Sequence, residues 1–117
     1  MGFIYVDGTV TGPTGKHADV RFLVDSGARY TVLPEAVWRE LEIERVRTQM
    51  FLLADGTEIE RGIGHCRVDL PQGTTPTPAV LGGPGDLALL GVITLEELGL
   101  VLHPFNREIL KMQAAML

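Results

Sequence analysis

The chain has 117 residues, enough for one domain of ordinary size and too few for two, so residues 1–117 are expected to form a single domain. Fifteen acidic side chains against ten basic ones leave a net charge of −5, and the mixing of Arg with Glu leaves no basic face for nucleic-acid phosphates. Apolar residues at 45%, with 14 Gly and 7 Pro spread along the chain, exclude a disordered polymer and describe a folded, turn-rich protein.

The opening segment, Phe3 to Val10, reads as a strand. It lacks the basic start and apolar core of a secretory signal and already carries Asp7, so it is expected to belong to the mature protein. A turn-rich stretch from Thr11 to Lys16 follows. In the second strand, Ala18 to Val24, the residues Val20, Phe22 and Val24 alternate with Arg21 and Leu23, which predicts one buried face. Pro34 and Glu35 suit the first turn of a helix whose apolar stripe is Ala36, Val37, Trp38 and Leu41. Gln49 to Leu70 reads as two strands around Ala54-Asp55-Gly56-Thr57, a β-hairpin, because Asp and Gly both tolerate the positive φ of a tight turn.

Within the second of those strands lies Cys66, the sole cysteine, which permits no intrachain disulfide and fits a reducing compartment; the cytoplasm is the expected location. Pro71, Gly73, Pro76 and Pro78 mark a loop leading to a strand at Ala79 to Leu81. The turn Gly82-Gly83-Pro84-Gly85 precedes an apolar stretch, Leu87 to Leu90. The longest apolar run, Leu87 to Leu95, is interrupted by Gly91 and Thr94 and falls short of the ~20 residues a membrane helix needs, so no membrane partner is expected. Thr94 with Glu97 three residues on has the form of a capping box, and Gly99 is placed to end the short helix that follows. A last strand is expected from Glu108 to Met112. Strands and turns at this spacing predict an all-β sandwich or closed barrel with one or two short helices. The run from Phe22 to Gly27 followed by a helix is echoed in outline by Leu87 to Gly91 followed by a helix, suggesting an internal pseudo-twofold.

Asp25-Ser26-Gly27-Ala28 carries the chemistry. A carboxylate directly after the apolar Phe22-Leu23-Val24 loses hydration unless it is hydrogen-bonded or functional, and Gly27 lets the backbone come close. Two readings stand side by side: a turn whose carboxylate caps nearby N–H groups, or a catalytic acid. With Thr31-Val32-Leu33, the hairpin Leu53-Ala54-Asp55-Gly56-Thr57 and Leu89-Leu90-Gly91 before a short helix, the order and spacing of these segments resemble the retroviral-type (retropepsin-like) aspartic proteases, up to Asn106. Ala54 to Thr57 and Leu89 to Val92 are similar, more narrowly, to the non-viral microbial members.

The resemblance implies a homodimeric endopeptidase that needs no cofactor or metal. Asp25 matches the catalytic aspartate, Ser26 the hydroxyl residue that braces the two catalytic loops against each other, and Gly27 the glycine beside the substrate backbone. Ala28, Arg29 and the flap residues Ala54, Asp55, Gly56 and Thr57 match positions that meet a peptide substrate. Only one such aspartate is present, so the resemblance requires two copies to complete one site. Arg29 stands where the family often has an acidic residue, and Asp55 charges a flap tip that is glycine-rich in viral members. Arg29 is open to two roles, binding acidic side chains or pairing with a second copy, and Asp55-Gly56 also serves simply as a turn. A dimer that binds extended peptides without turnover is the alternative function.

His17, His65 and His103 show no ligand-like spacing. His65 and Cys66 are neighbours on a strand and so face opposite ways, which argues against a Cys-His pair. Gly62 and Gly64 precede no helix and form no phosphate loop. Trp38 reads as helix-on-sheet packing.

Overall fold

Alternating burial, the strongest pattern in the sequence, governs the architecture of the computed structural model, which describes residues 3–102 and 109–111. Along β2 (His17–Val24) the side chains of Val20, Phe22 and Val24 are buried while Asp19 and Arg21 are exposed. Burying Phe22 completely is worth about 1.5–3 kcal/mol. The same inward rows run along β1 (Tyr5–Thr11), through Val6 and Val10, and along β5 (Glu58–Leu70), through Cys66, Val68 and Leu70.

The chain continues through β3 (Thr31–Leu33), α1 (Glu35–Glu40) and β4 (Arg47–Leu52) before β5, then β6 (Gly73–Leu81), β7 (Leu89–Leu90), α2 (Val92–Glu97), β8 (Leu100–Leu102) and β9 (Ile109–Lys111). Seven strands form one sheet in the order β1-β2-β7-β3-β6-β5-β4. β1 is paired on both edges, along its length with β2 and, through Thr9↔Asp69, Val10↔Val68 and Thr11↔Arg67, with β5. That second pairing closes the sheet on itself into a barrel, as expected of an all-β fold, and removes two open edges. β4 lies outside the ring and, among the described residues, pairs only with β5, so the two make a projecting hairpin. β8 and β9 form a separate two-stranded sheet. Among the described residues no helix is long and apolar enough to cross a membrane.

The core is filled by Val10, Phe22, Leu33, Leu41, Val68, Leu90 and Leu100, with Trp38 packed against it as expected. Trp38 also donates its indole N–H to the carbonyl of Gly82 at 2.9 Å. A smaller cluster of Tyr30, Ile63 and Val80, joined by Val32, Phe51 and Ile93, underlies the base of the projecting hairpin.

Three expectations need correction. The segment 73–78 is strand, not loop: β6 pairs with β5 from Gly73 to Leu81. Pro76 and Pro78 are tolerated because they lie two apart, so both missing N–H groups fall on the same edge, and β3 occupies that edge only from Ala79 onward. Thr94 is not a cap: α2 begins at Val92 with Gly91 at the N-cap, and Thr94 is fully buried inside the helix. In the hairpin turn only Gly56 takes a positive φ, +87°, while Asp55 does not. Gly99, at φ +68°, ends α2 as expected. The last expected strand is present at Ile109–Lys111, while its outer residues Glu108 and Met112 lie outside the described residues.

Candidate active site

Asp25 follows β2 at the point where the parallel neighbour β7 also ends. Its backbone N–H donates to the carbonyl of Leu90 at 3.1 Å, and its carbonyl accepts the N–H of Ala28 at 3.1 Å, folding residues 25–28 into a turn. The Gly27 N–H donates to Asp25 Oδ1 at 2.8 Å. The capping turn that the residues alone suggested is therefore real, and it fixes the direction of the carboxylate. Asp25 is half-buried, whereas Ser26, Gly27 and Arg29 are exposed.

A helix start leaves backbone N–H groups without intrahelical acceptors. In α2 two of them are spent on this loop: Val92 N–H donates to the Ala28 carbonyl and Ile93 N–H to the Arg29 carbonyl, both at 2.9 Å. Gly91, between strand and helix, packs directly on the loop's exit. A Cβ there would lie 2.3 Å from the carbonyl carbon of Tyr30, 2.4 Å from its oxygen and 2.7 Å from the nitrogen of Thr31. Only glycine lets the two backbones approach this closely.

Beneath the contact three buried threonines from different elements meet. Thr31 and Thr94 hydroxyls are 2.6 Å apart, Thr94 and Thr77 2.9 Å, and Thr77 donates to the Pro78 carbonyl at 3.2 Å. Because Thr31 Oγ1 also accepts the Gly91 N–H at 3.1 Å, one direction satisfies every group: Thr31 donates to Thr94, Thr94 to Thr77, and Thr77 to Pro78. A buried chain with no orphaned hydroxyl holds its members in one arrangement. It locks α2, β3 and β6 together beneath the loop that presents Asp25.

The hairpin stands on pinned roots. From β4, Gln49 accepts the Tyr30 hydroxyl at 3.4 Å, Arg47 donates to that hydroxyl oxygen at 2.8 Å, and Phe51 meets the Tyr30 ring edge-on at 5.9 Å. From β5, Arg61 Nε donates to Asp86 Oδ2 at 3.1 Å, and the same oxygen accepts the Gly83 N–H at 2.8 Å. Among the described residues, the tip has only local bonds. Leu53 N–H donates to the Thr57 carbonyl at 2.8 Å, Gly56 N–H to the Leu53 carbonyl at 3.0 Å, and Thr57 N–H to Asp55 Oδ1 at 2.9 Å. Donation from the Thr57 side chain, then from its backbone, holds the exposed Asp55 carboxyl below the usual carboxylate range.

Between loop and hairpin lies a cavity of about 390 Å³, within the range of small-molecule sites. Gly27, Ala28 and Arg29 form one wall, with Tyr30 and Val32. The arms of the hairpin form another through Phe51, Leu52, Leu53, Ile59 and Arg61, and Asp86, Leu87 and Leu89 complete it. The structure thus brings three of the expected residues together with the hairpin. The tip residues Ala54, Asp55, Gly56 and Thr57 are exposed and do not line this cavity. The lining contributed by the arms escaped the sequence, though the apolar Phe51-Leu52-Leu53 beside the tip was its available signal.

Other reactive side chains lie elsewhere. Among the described residues no group of His, Cys, Asp and Glu is arranged to hold a metal ion. His65 is exposed and Cys66 buried, on opposite faces of β5 as expected, and burial pushes the Cys66 thiol up to about 12. His103 lies outside the described residues.

Residues 10–97 match the protein family described as "gag-polyprotein putative aspartyl protease"; this span runs from β1 to the end of α2 and holds the Asp25 loop, the hairpin and Gly91. Among solved structures, the EIAV protease complexed with the inhibitor HBY-793 is similar at a TM-score of 0.61 and 17% identity, over 84% of this chain and 89% of that one. The simian foamy virus (mac) protease, solved in solution, is similar at a TM-score of 0.57 and 17% identity, over 81% of this chain and 94% of that one. No curated protein sequence matches the chain.

Proposed function

The chain belongs to the gag-polyprotein aspartyl protease family, and from that premise we propose that it is a homodimeric aspartic endopeptidase in which Asp25 of two copies forms one catalytic pair. The observation that carries the reading is the Asp25-Ser26-Gly27 turn, strapped to β7 and α2, whose Gly27 lines the cavity under the hairpin while Asp25 and Ser26 lie just outside its lining. A rigid scaffold that fixes a half-buried carboxylate two residues from a groove's lining is what such catalysis builds on.

The chemistry explains the need for two copies. Two carboxylates about 3 Å apart cannot both ionise, so they share one proton and act as base and acid. The ionised Asp25 takes a proton from a water molecule as that water attacks the peptide carbonyl. The protonated Asp25 of the second copy hydrogen-bonds the carbonyl oxygen as charge develops, and a proton then passes to the leaving nitrogen. Ser26, exposed beside the dyad axis this reading requires, braces one loop against the other. The hairpin, pinned at its roots and free at Ala54 to Thr57, closes over the bound peptide and excludes water.

Asp25→Asn tests the assignment. The amide oxygen still accepts the Gly27 N–H, so the fold is retained while the shared proton is lost. Cleavage of a mixed peptide pool is expected to fall about 10²- to 10⁴-fold, with unchanged association of the two copies in sedimentation. Cleavage undiminished in this variant overturns the mechanism. Persistent peptide binding by the wild type with no turnover at any pH favours the alternative, a peptide-binding dimer.

A further inference from the structure

Among the described residues, three charged ones line the cavity: Arg29, Arg61 and Asp86. Two cancel. Arg61 and Asp86 form an ion pair at 3.1 Å, with both side chains mostly withdrawn from solvent, and Arg61 also donates to the Glu60 carbonyl at 3.0 Å. Its guanidinium is stacked so closely on Gly83 that a Cβ there would lie 2.8 Å from it. Arg61 is therefore committed.

Arg29 is not. It is exposed, borders both this cavity and an adjoining hollow shared with Ser26, Gly27, Ile93 and Glu96, and forms no ion pair with Glu96 or any other carboxylate among the described residues. Its backbone is held by α2, so the side chain projects from a fixed point four residues beyond Asp25. The rest of the lining is mainly apolar, which excludes water and strengthens any charge pairing made there.

We propose, on the protease reading above, that Arg29 selects substrates with an acidic side chain close to the scissile bond. An arginine fork engages a carboxylate through two parallel N–H donors, a geometry that neither a neutral amide nor a lysine-bearing substrate can meet. The twofold of the active dimer supplies one Arg29 on each side of the dyad, so the preference for Asp or Glu falls on both flanks of the cleaved bond.

The test is a set of matched peptides differing only by Glu, Gln or Lys at each position flanking one cleavage site. For wild type, kcat/KM for the best Glu peptide is expected to exceed that of its Gln counterpart about tenfold, and added salt to reduce the ratio. In Arg29→Gln the Glu-to-Gln ratio falls to about one, and in Arg29→Glu the order reverses in favour of Lys. A wild-type ratio near one, or a ratio that Arg29→Gln leaves unchanged, overturns the proposal, as does conversion of Arg29→Gln to monomer in sedimentation, which assigns the residue to the contact between copies. The same peptides are titrated by fluorescence anisotropy onto Asp25→Asn protein. Glu-selective binding that depends on Arg29, without wild-type cleavage of any peptide, refutes the protease and upholds the selectivity; cleavage without charge preference does the reverse.

Discussion

Replacing Gly91 with alanine separates steric support of the Asp25 loop from every other role of that glycine. Its backbone, at φ −94° and ψ 171°, suits alanine as well as glycine, so no conformational penalty enters. The added Cβ meets Tyr30 carbonyl carbon at 2.3 Å, its oxygen at 2.4 Å and Thr31 nitrogen at 2.7 Å, where non-bonded atoms prefer about 3.5–4.0 Å. All three obstacles are backbone, so no rotamer change relieves them and the strands must part by about 1 Å. Overpacking of this kind costs about 1–3 kcal/mol. The displacement also stretches the bonds from Gly91 to Thr31, Val92 to Ala28 and Ile93 to Arg29, each worth about 0.5–1.5 kcal/mol. A loss of at least about 2.5 kcal/mol follows, read as a lower urea midpoint at unchanged slope. Gly85→Ala is the control. That site has φ +81° and open space around it, so its cost is the left-handed penalty alone, about 1–2 kcal/mol. If Gly91→Ala proves no more destabilising than Gly85→Ala, the close backbone contact is not what holds the loop.

The remaining predictions concern the interior. Thr94→Val keeps the shape but deprives buried Thr31 of its acceptor and Thr77 of a donor; a loss of about 1–3 kcal/mol in urea unfolding is expected, and a neutral result contradicts the threonine chain. Burial raises the Cys66 thiol from 9.0 to about 12. A raised value means that this group's contribution to stability is complete below pH 9 and is lost as pH climbs toward the folded value. At pH 8 iodoacetamide is therefore expected to label Cys66 only through unfolding, with a rate that rises steeply in urea; native labelling as fast as that of the unfolded chain refutes the burial.

Much of the site was legible because its parts are local. The alternation of Val20, Phe22 and Val24 gave β2, Asp55-Gly56 gave the hairpin, and Asp25-Ser26-Gly27 with Leu89-Leu90-Gly91 gave the two halves of the strapped loop. What failed depended on pairing between distant segments. Pro76 and Pro78 signal a loop to any local reading, and only the position of β3 reveals that their edge of β6 needs no donor. Thr94 and Glu97 imitate a capping box, yet the helix starts earlier because Val92 and Ile93 find acceptors on the Asp25 loop, 64 residues upstream in both pairs, Ala28 to Val92 and Arg29 to Ile93. The closure of β1 on β5 and the cavity lining supplied by the hairpin arms are likewise tertiary facts with no local signature.

The central claim is that one working site uses Asp25 from two copies. Mixing wild-type and Asp25→Asn protein in equal amounts, at fixed total concentration and after subunit exchange, tests it directly through initial cleavage rate. Random pairing leaves about a quarter of the dimers with both aspartates, so the rate is predicted to fall to about a quarter of the unmixed value. A fall to only about half means that each copy works alone and contradicts the shared site.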